Sequence, residues 1–334
     1  GPPYGSAETN FGRMMREDFR PYRDELIISS KAGYDMWDGP YGQWGSRKYL
    51  LASAEQSLTR MSLDYVDIFY SHRFDPVTPI EETVRAMHNL ITQGKVLYWG
   101  TSEWTAQQLT EAYAVARQEH LTPPTMEQPE YNLFRREKVE GEFMPLYRLF
   151  GLGTTIWSPL ASGILTGKYN DGVPADSRMN LPGYEWLKAR LDSDKGKDEL
   201  AKVKKLAKLA GDVGLPIHHL ALLWCNANPN VSTVILGASK LSQLKDNLEA
   251  LKHKDKITPE VLAEIKRRVG ELTEKLANHE QIRDLRILLE EFTMDNVLLT
   301  PTLKVKRREV EKRFGQIIDD MYTKLAELRG KSDA

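Results

Sequence analysis

Residues 66–102 read VDIFYSHRFDPVTPIEETVRAMHNLITQGKVLYWGTS, and this stretch decides the fold class. Its two apolar runs, 66–70 and 96–99, are short and rich in β-branched and aromatic residues, which predicts strands. Between them, apolar residues recur at helical spacing, and Gly94 ends that pattern just before the second run. A strand, a helix and a strand without a hairpin turn predict a parallel βαβ unit.

The same unit recurs along the chain. Short apolar runs predict strands at residues 26–28, 66–70, 96–99, 125–127, 154–157 and 233–236. From the second run to the fifth, the interval is about thirty residues, the length of one strand–helix repeat. No run is followed by a G-x-G-x-x-G turn, which argues against the alternative prediction of an open dinucleotide-binding sheet. The equal repeat lengths favour a barrel. The predicted class is therefore α/β, a TIM-type (β/α)8 barrel lacking its first two strands.

From about residue 258 onward, the sequence differs from this repeat. Amphipathic helical patterns cover residues 258–276 and 279–292, and another follows nearer the end of the sequence. We therefore predict a barrel over residues 1–276 and a helical C-terminal tail over residues 277–334.

The composition narrows the function classes. The 334 residues include 46 Lys and Arg against 47 Asp and Glu, and this balance argues against bulk electrostatic binding of nucleic acid or an anionic membrane. No apolar run reaches the roughly eighteen residues of a transmembrane helix, and no signal peptide begins the sequence. Cys225 is the single cysteine, which excludes an internal disulfide and a cysteine-rich zinc site. We expect a cytoplasmic protein without membrane insertion and without a metal site.

Polar residues follow the predicted strands. They lie at residues 29–33, 71–73, 100–104, 128–132, 158–163 and 237–240. In an α/β barrel, the reacting residues stand at the C-terminal ends of the strands. Polar groups at all six ends therefore predict a functional site at that end of the barrel.

These motifs resemble the aldo-keto reductase family. The matching stretches are SKAG at 30–33, DYVD at 64–67, SHR at 71–73, GTS at 100–102, WSPL at 157–160 and LGAS at 236–239. Residues 75–87 and 182–187 narrow the resemblance to the branch with voltage-gated potassium channel beta subunits and bacterial glyceraldehyde-phosphate reductases. It covers roughly residues 1–275, and it implies a barrel that reduces a small aldehyde or ketone with NADPH.

The resemblance also implies catalytic residues. The family uses Tyr, Lys, His and Asp, of which Lys31 matches the lysine and His72 matches the histidine. A phenol donates a proton to the carbonyl oxygen, a nearby ammonium lowers the pKa of that phenol, and an imidazole orients the carbonyl. The family's Asp and Tyr align before Gly1, so the resemblance places both outside these 334 residues and predicts impaired reduction.

An NADP(H) site is implied as well. Ser102 and Gln128 would hydrogen-bond the nicotinamide carboxamide, and Trp157 would stack on its ring. The pyrophosphate would be held by Ser158, Pro159, Leu160, Ala161, Ser162, Lys168 and Arg178. A glycine-led turn at a helix N-terminus suits a phosphate, and the adenosine side would be held by Gly237, Ser239, Lys240, Gln243, Asp246 and Asn247. Of these, Ser239 and Lys240 would contact the 2′-phosphate.

The tail resembles another family. LTPTLK at 299–304 and KRR at 306–308 look like the C-terminal end of long-chain acyl-CoA synthetases, with Lys304 at the adenylate-contacting lysine. Three functions stay open: a carbonyl reductase, an NADP(H)-binding regulatory or sensor module like the channel subunits, and a non-functional fusion fragment. His72 favours the enzyme, and the alignment of the family's tyrosine before Gly1 favours the regulatory module. A homo-oligomer stays open as well.

Overall fold

The computed structural model describes residues 4–270 and 309–316. Within them, six strands form one sheet whose spatial order equals the chain order. The strands are β1 (Ser29–Ala32), β2 (Val66–Ser71), β3 (Val96–Ser102), β4 (Met126–Gln128), β5 (Gly153–Ile156) and β6 (Val231–Val234). All neighbouring strands are parallel. The α/β class and the parallel sheet are confirmed.

Helices connect the strands because a parallel pair requires a crossover. They are α1 (Ser6–Met14), α2 (Arg47–Met61), α3 (Ile80–Thr92), α4 (Ala106–Gln118), α5 (Met144–Phe150), α6 (Glu185–Asp192), α7 (Asp194–Asp212), α8 (Ile217–Asn226), α9 (Leu241–Glu249) and α10 (Pro259–Gly270). Shorter 3₁₀ or π turns span Met15–Phe19, Arg20–Glu25, Lys138–Glu142, Ala161–Thr166, Arg178–Asn180 and Ala250–Lys256.

Local sequence explains where several helices begin and end. The Ser46 side chain accepts a hydrogen bond from the Tyr49 amide at the start of α2. At α4, Thr105 and Gln108 form a reciprocal capping box. Such caps satisfy N–H groups of the first turn and are worth about 1 kcal/mol each. Gly94 follows α3 with φ 70°, a backbone conformation that favours glycine.

The predicted apolar face of α3 is confirmed. Val84 and Met87 are fully buried, and they belong to the same apolar cluster as Phe69 of β2 and Trp99 of β3. Another apolar cluster includes Ile156 of β5 and the inward faces of α7 and α8. Helices therefore pack against the strands at both ends of the sheet order, which holds the strand ends in place.

The first strand begins later than its apolar run predicts. Residues 26–28 were expected to form it, but Ile27 is 79% exposed and pairing begins at Ser29. The cause is Asp67, whose carboxylate accepts from the Ile28 amide at 2.8 Å while its own amide donates to the Ile28 carbonyl. Lys31, expected just after the strand, therefore lies within β1. The other five predicted strands are confirmed within three residues at either end.

Some predictions remain untested. Among the described residues, β1 and β6 are the two edges of the sheet, so closure into eight strands and the two missing strands stay predictions. The compact unit that holds the sheet spans Gly1–Val269, and residues 309–316 are helical. The predicted boundary at 276/277, the helix at 279–292 and the synthetase-like motifs at 299–308 lie outside the described residues. In the part of the chain that is described, no helix is long and apolar enough to cross a membrane.

Candidate active site

The parallel sheet brings the predicted catalytic and nicotinamide residues to one end. Lys31 pairs in register with Tyr70 of β2, and His72 follows the end of that strand. Ser102 ends β3 and pairs with Gln128, which ends β4. Because all strands run the same way, these four side chains stand at the C-terminal ends of adjacent strands. This is the grouping that the sequence predicts.

Lys31 and His72 share a half-buried, positively charged surrounding. Burial, followed by the charge of Arg73, lowers the pKa of Lys31. Burial, followed by the charges of Arg73 and Lys31, lowers the pKa of His72 to about 3. The imidazole is therefore neutral at physiological pH, so one ring nitrogen donates and the other accepts.

Arg73 joins the two strand ends, although the sequence assigns it no role. Its Nη1 donates to the His72 carbonyl at 2.6 Å and to Ser102 Oγ at 3.4 Å. Its guanidinium lies 5.4 Å from the centre of the Tyr34 ring, and that ring meets His72 edge-on at 4.5 Å. A fixed positive charge here stabilises negative charge that develops on a nearby oxygen. The sequence signal that could have identified Arg73 is its place in the SHR motif, directly after His72.

Buried hydrogen bonds fix the ends of β3, β4 and β5. Ser102 Oγ donates to the Gln128 carbonyl at 2.9 Å, and Gln128 Nε2 donates to Thr155 Oγ1 at 3.4 Å. The Tyr70 hydroxyl lies 2.9 Å from the same Thr155 oxygen. Burial raises the pKa of Tyr70, so the phenol stays protonated. The predicted carboxamide-binding pair is thus held in one arrangement.

Trp157 is held by a carboxylate. Glu103 Oε1 accepts from the indole Nε1 at 3.0 Å and from the Glu130 amide at 2.6 Å. Glu103 Oε2 accepts from Lys138 Nζ at 2.9 Å. Burial opposes ionisation, but these three hydrogen bonds outweigh it and lower the pKa of Glu103. The ring that is predicted to stack on nicotinamide is therefore fixed by a charged group.

Sequence reasoning left the role of Glu103 undefined. Its partners come from two other connections, the one after β4 that holds Glu130 and Lys138 and the one after β5 that holds Trp157. Its own backbone is left-handed with φ 62°. No local pattern reports which loops meet, so the sequence holds no signal for this cluster. The relation between Glu103 and Trp157 emerges only once the sheet is assembled.

The predicted pyrophosphate loop has an unusual backbone. Ser158, Ala161 and Ser162 have φ of 57°, 48° and 60°, and Gly163 follows with φ 91°. The Asn132 side chain donates to the Ser158 carbonyl at 3.0 Å and ties the loop to the segment that follows β4. Turns of this kind can make a concave surface that binds anions.

Two features of that loop bear on phosphate binding. The amides of Ala161, Ser162 and Gly163 already donate within the loop, to Ser158 O, Ser158 Oγ and Leu160 O. A phosphate would therefore share or replace these hydrogen bonds. Lys168 lies close over Gly163, since a Cβ there would come within 3.1 Å of Lys168 Cε. Glycine thus permits the approach of one predicted phosphate-binding cation.

The segment that contains Asp176 lies against the N-terminus of α9. Lys240 Nζ forms an exposed ion pair with Asp176 at 3.1 Å. The Lys240 hydrogen bond and charge lower the pKa of Asp176, and Lys168 adds to the effect. Gln243 Oε1 accepts from the Ser239 amide, the Ser239 hydroxyl and the Lys240 amide at 3.0 to 3.3 Å. A 2′-phosphate would therefore compete with Asp176 for Lys240.

The remaining predicted residues have other neighbours. The Arg178 guanidinium lies 5.8 Å from the centre of the Tyr184 ring. Asn247 is buried, whereas Asp246 is half-exposed and contacts His218 and His219 of α8. Gly237 is exposed, Pro159 is buried and Leu160 is half-buried. The assignment of these residues to the cofactor stays a prediction.

Comparison with known proteins gives the family. Residues 1–269 match the Aldo/keto reductase family. A probable voltage-gated potassium channel subunit beta of Oryza sativa subsp. japonica is 49% identical over 264 residues, 78% of each chain, and an Arabidopsis thaliana protein described in the same words is 48% identical over 265 residues, also 78% of each.

An Escherichia coli K12 L-glyceraldehyde 3-phosphate reductase is similar as well, with 44% identity over 271 residues, 81% of this chain and 78% of the relative. The family match ends at residue 269, so it lends no support to the synthetase-like tail. Both branches named by the sequence motifs recur among these relatives. The chain belongs to the aldo/keto reductase family.

Proposed function

We propose that the chain is an NADP(H)-dependent carbonyl reductase that acts on a small aldehyde or ketone. The observation that carries this proposal is the cluster of Lys31, His72 and Arg73 beside Ser102 and Gln128. Two cations and a neutral imidazole stand next to buried amide and hydroxyl groups at the ends of adjacent strands. This donor set suits a carbonyl oxygen that gains negative charge.

The residues present fit NADP(H). The Trp157 indole is held by Glu103, so a flat ring has a fixed apolar surface to stack on. Lys168 over Gly163 and Lys240 at α9 supply cations on the phosphate side. When bound, the nicotinamide would supply a hydride to the carbonyl carbon.

The chain's own residues would then handle the oxygen. His72 would donate a hydrogen bond and orient the carbonyl, and Lys31 and Arg73 would stabilise the charge on that oxygen. The oxygen still needs a proton, and a positioned acid is worth about 10²–10⁴-fold in rate. Tyr70 is buried and bonded to Thr155, whereas the half-exposed Tyr34 ring touches His72. In the family that this chain resembles, a phenol supplies this proton to the oxygen that Lys31 and His72 would hold.

A regulatory module is the second candidate. The two plant relatives are described as probable potassium channel beta subunits. In such a role, occupancy by NADP(H) would matter and turnover would not. A non-functional fusion fragment is the third reading, and it requires that the cofactor does not bind.

One pair of measurements separates these readings. NADPH is titrated into the protein by fluorescence, and NADPH consumption is then followed with glyceraldehyde 3-phosphate, the substrate class named for the bacterial relative. Binding with consumption that Lys31→Met removes supports the reductase. Binding without consumption supports the module. Absence of NADPH binding contradicts both the reductase and the regulatory module, and it leaves the non-functional fusion fragment as the remaining reading.

A further inference from the structure

Two histidines and a carboxylate meet between α8 and α9, away from the strand ends of the proposed active site. The carboxylate, Asp246, is also a residue that the family resemblance assigns to the adenosine side of the cofactor, so a metal ion and NADP(H) would compete for it. His218 Nε2 lies 2.8 Å from Asp246 Oδ2, and His219 Nε2 lies 3.2 Å from Asp246 Oδ1. Adjacent residues of a helix point about 100° apart. One carboxylate reaches both rings because Asp246 lies in the angle between them.

We propose that His218, His219 and Asp246 bind a divalent transition-metal ion such as Zn²⁺. Their three ligand atoms lie within 4.8 Å of one another. Imidazole nitrogens and carboxylate oxygens are usual ligands of zinc, whereas Mg²⁺ and Ca²⁺ prefer oxygen ligands. Three protein ligands leave a fourth tetrahedral position for water.

Small side-chain movements close the site. Ligands held about 2.1 Å from a tetrahedral zinc lie about 3.4 Å from one another, so the widest gap in the cluster must close by up to about 1.4 Å. His219 is 4% exposed and fixed, His218 is 18% exposed, and Asp246 is 56% exposed. The open carboxylate can therefore rotate so that one of its oxygens faces an ion held by both imidazoles. The same exposure gives an ion a path from solvent.

The protonation of His219 is compatible with a metal at Nε2. In the metal-free arrangement, Nε2 lies 2.8 Å from the Asp246 carbonyl, which can only accept, so this nitrogen carries the proton. Nδ1 is buried and has no hydrogen-bond partner within residues 4–270 and 309–316. The proton can move to Nδ1 without breaking a hydrogen bond there. Binding then exchanges the Nε2 hydrogen bond for a metal–nitrogen bond.

A search of the sequence for cysteine ligands misses this cluster. His219 and Asp246 are 27 residues apart and lie on different helices. Neither the adjacent pair His218–His219 nor the 27-residue interval to Asp246 is a recognised spacing of zinc ligands, so the sequence predicted no metal site. The packing of α8 against α9 creates the cluster, and the proposal does not depend on the proposed function.

The test uses the full chain without an affinity tag and the metal alone. Zn²⁺ is titrated by calorimetry, and Co²⁺ is followed by its visible absorption. We expect one ion per chain, ligand-field bands typical of four-coordinate Co²⁺, and a Tm that rises with metal concentration. Mg²⁺ should produce none of these changes.

Variants assign the ligands. His218→Gln should weaken the binding of Zn²⁺ at least about tenfold, and Asp246→Asn should do the same. The control is His253→Gln, which removes an imidazole whose ring centre lies 6.1 Å from that of His219 and should change affinity less than about twofold. Circular dichroism shows that each variant is folded.

Two results would overturn the proposal. One is the absence of saturable Zn²⁺ and Co²⁺ binding by the folded chain. The other is binding that survives both His218→Gln and Asp246→Asn, or that His253→Gln weakens as much as they do. Because no cofactor or substrate enters the experiment, its failure is distinct from failure of the reductase proposal.

Discussion

The two regions of the proposed cofactor-binding site, one at the strand ends and one near α9, are built differently. The inner region comprises the strand-end residues Lys31, His72, Arg73, Ser102, Glu103, Gln128 and Trp157. The outer region comprises Lys168, Asp176, Arg178, Ser239 and Lys240. In the inner region, charges are half-buried and hydrogen-bonded across strands, whereas the Lys240–Asp176 pair of the outer region is exposed. Burial therefore makes single substitutions costly in the inner region and mild in the outer region.

The largest expected effect concerns Glu127, the buried carboxyl beneath the inner region. Its oxygens accept from the Thr101 hydroxyl and from the Trp104 amide. Burial raises the pKa of Glu127 from 4.5 to about 8. Between those values the unfolded chain releases this proton and the folded chain keeps it, so the free energy of unfolding falls as pH rises.

The size of that fall makes it measurable. Each pH unit in this window should remove roughly 1 kcal/mol, and the loss should be complete above about pH 8. Denaturant unfolding of the wild type and of Glu127→Gln from pH 5 to 9 measures the difference. We expect the variant to lack this dependence and to be the more stable one at pH 9. Parallel pH profiles would show that Glu127 titrates normally.

The second effect concerns Glu103. Glu103→Ala frees the Trp157 indole, and loss of a fixed stacking surface should weaken NADPH binding about ten- to a hundredfold. Glu103→Gln keeps an acceptor for the indole and should restore most of the affinity. The Trp157 contribution to fluorescence should change in the alanine variant alone. Glu55→Ala, an exposed partner of Lys95, is the control, and equal loss there would contradict the role of Glu103.

The third effect concerns the outer region. Joint replacement of Ser239 and Lys240 by alanine removes the groups predicted to hold the 2′-phosphate. NADPH binding should weaken about five- to tenfold because the site is exposed, while NADH binding should stay nearly unchanged. Parallel fluorescence titrations with both cofactors measure the ratio. An equal loss for both would refute the 2′-phosphate assignment.

The smallest effect comes from the competing carboxylate. Asp176→Asn removes the negative charge that pairs with Lys240. Since exposed ion pairs contribute little, NADPH should bind only about two- to fivefold more tightly. The double change Asp176→Asn with Lys240→Ala should lose that gain. A gain that survives without Lys240 would show that the ion pair is irrelevant to the cofactor.

Sequence patterns predicted the features that depend on neighbouring residues in the chain, such as single strands and helices. Residues 66–102 form the predicted strand, helix and strand, and the meeting of Lys31 with His72 follows from the parallel arrangement. The exact start of β1 was missed because the side chain of Asp67, 39 residues away, caps the Ile28 amide. Contacts between distant loops could not be read at all, as the hydrogen bond from Trp157 to Glu103 illustrates. Such contacts depend on packing that no short window contains.

Hydride transfer itself tests the central claim most directly. NADPH with deuterium at the nicotinamide carbon that donates hydride is incubated with the protein and glyceraldehyde 3-phosphate, and the alcohol is examined by mass spectrometry. Long incubation detects transfer even when protonation is slow. We predict deuterium on the former carbonyl carbon with the wild type and almost none with Lys31→Met. A protein that binds NADPH and yields no deuterated alcohol would contradict the reductase account.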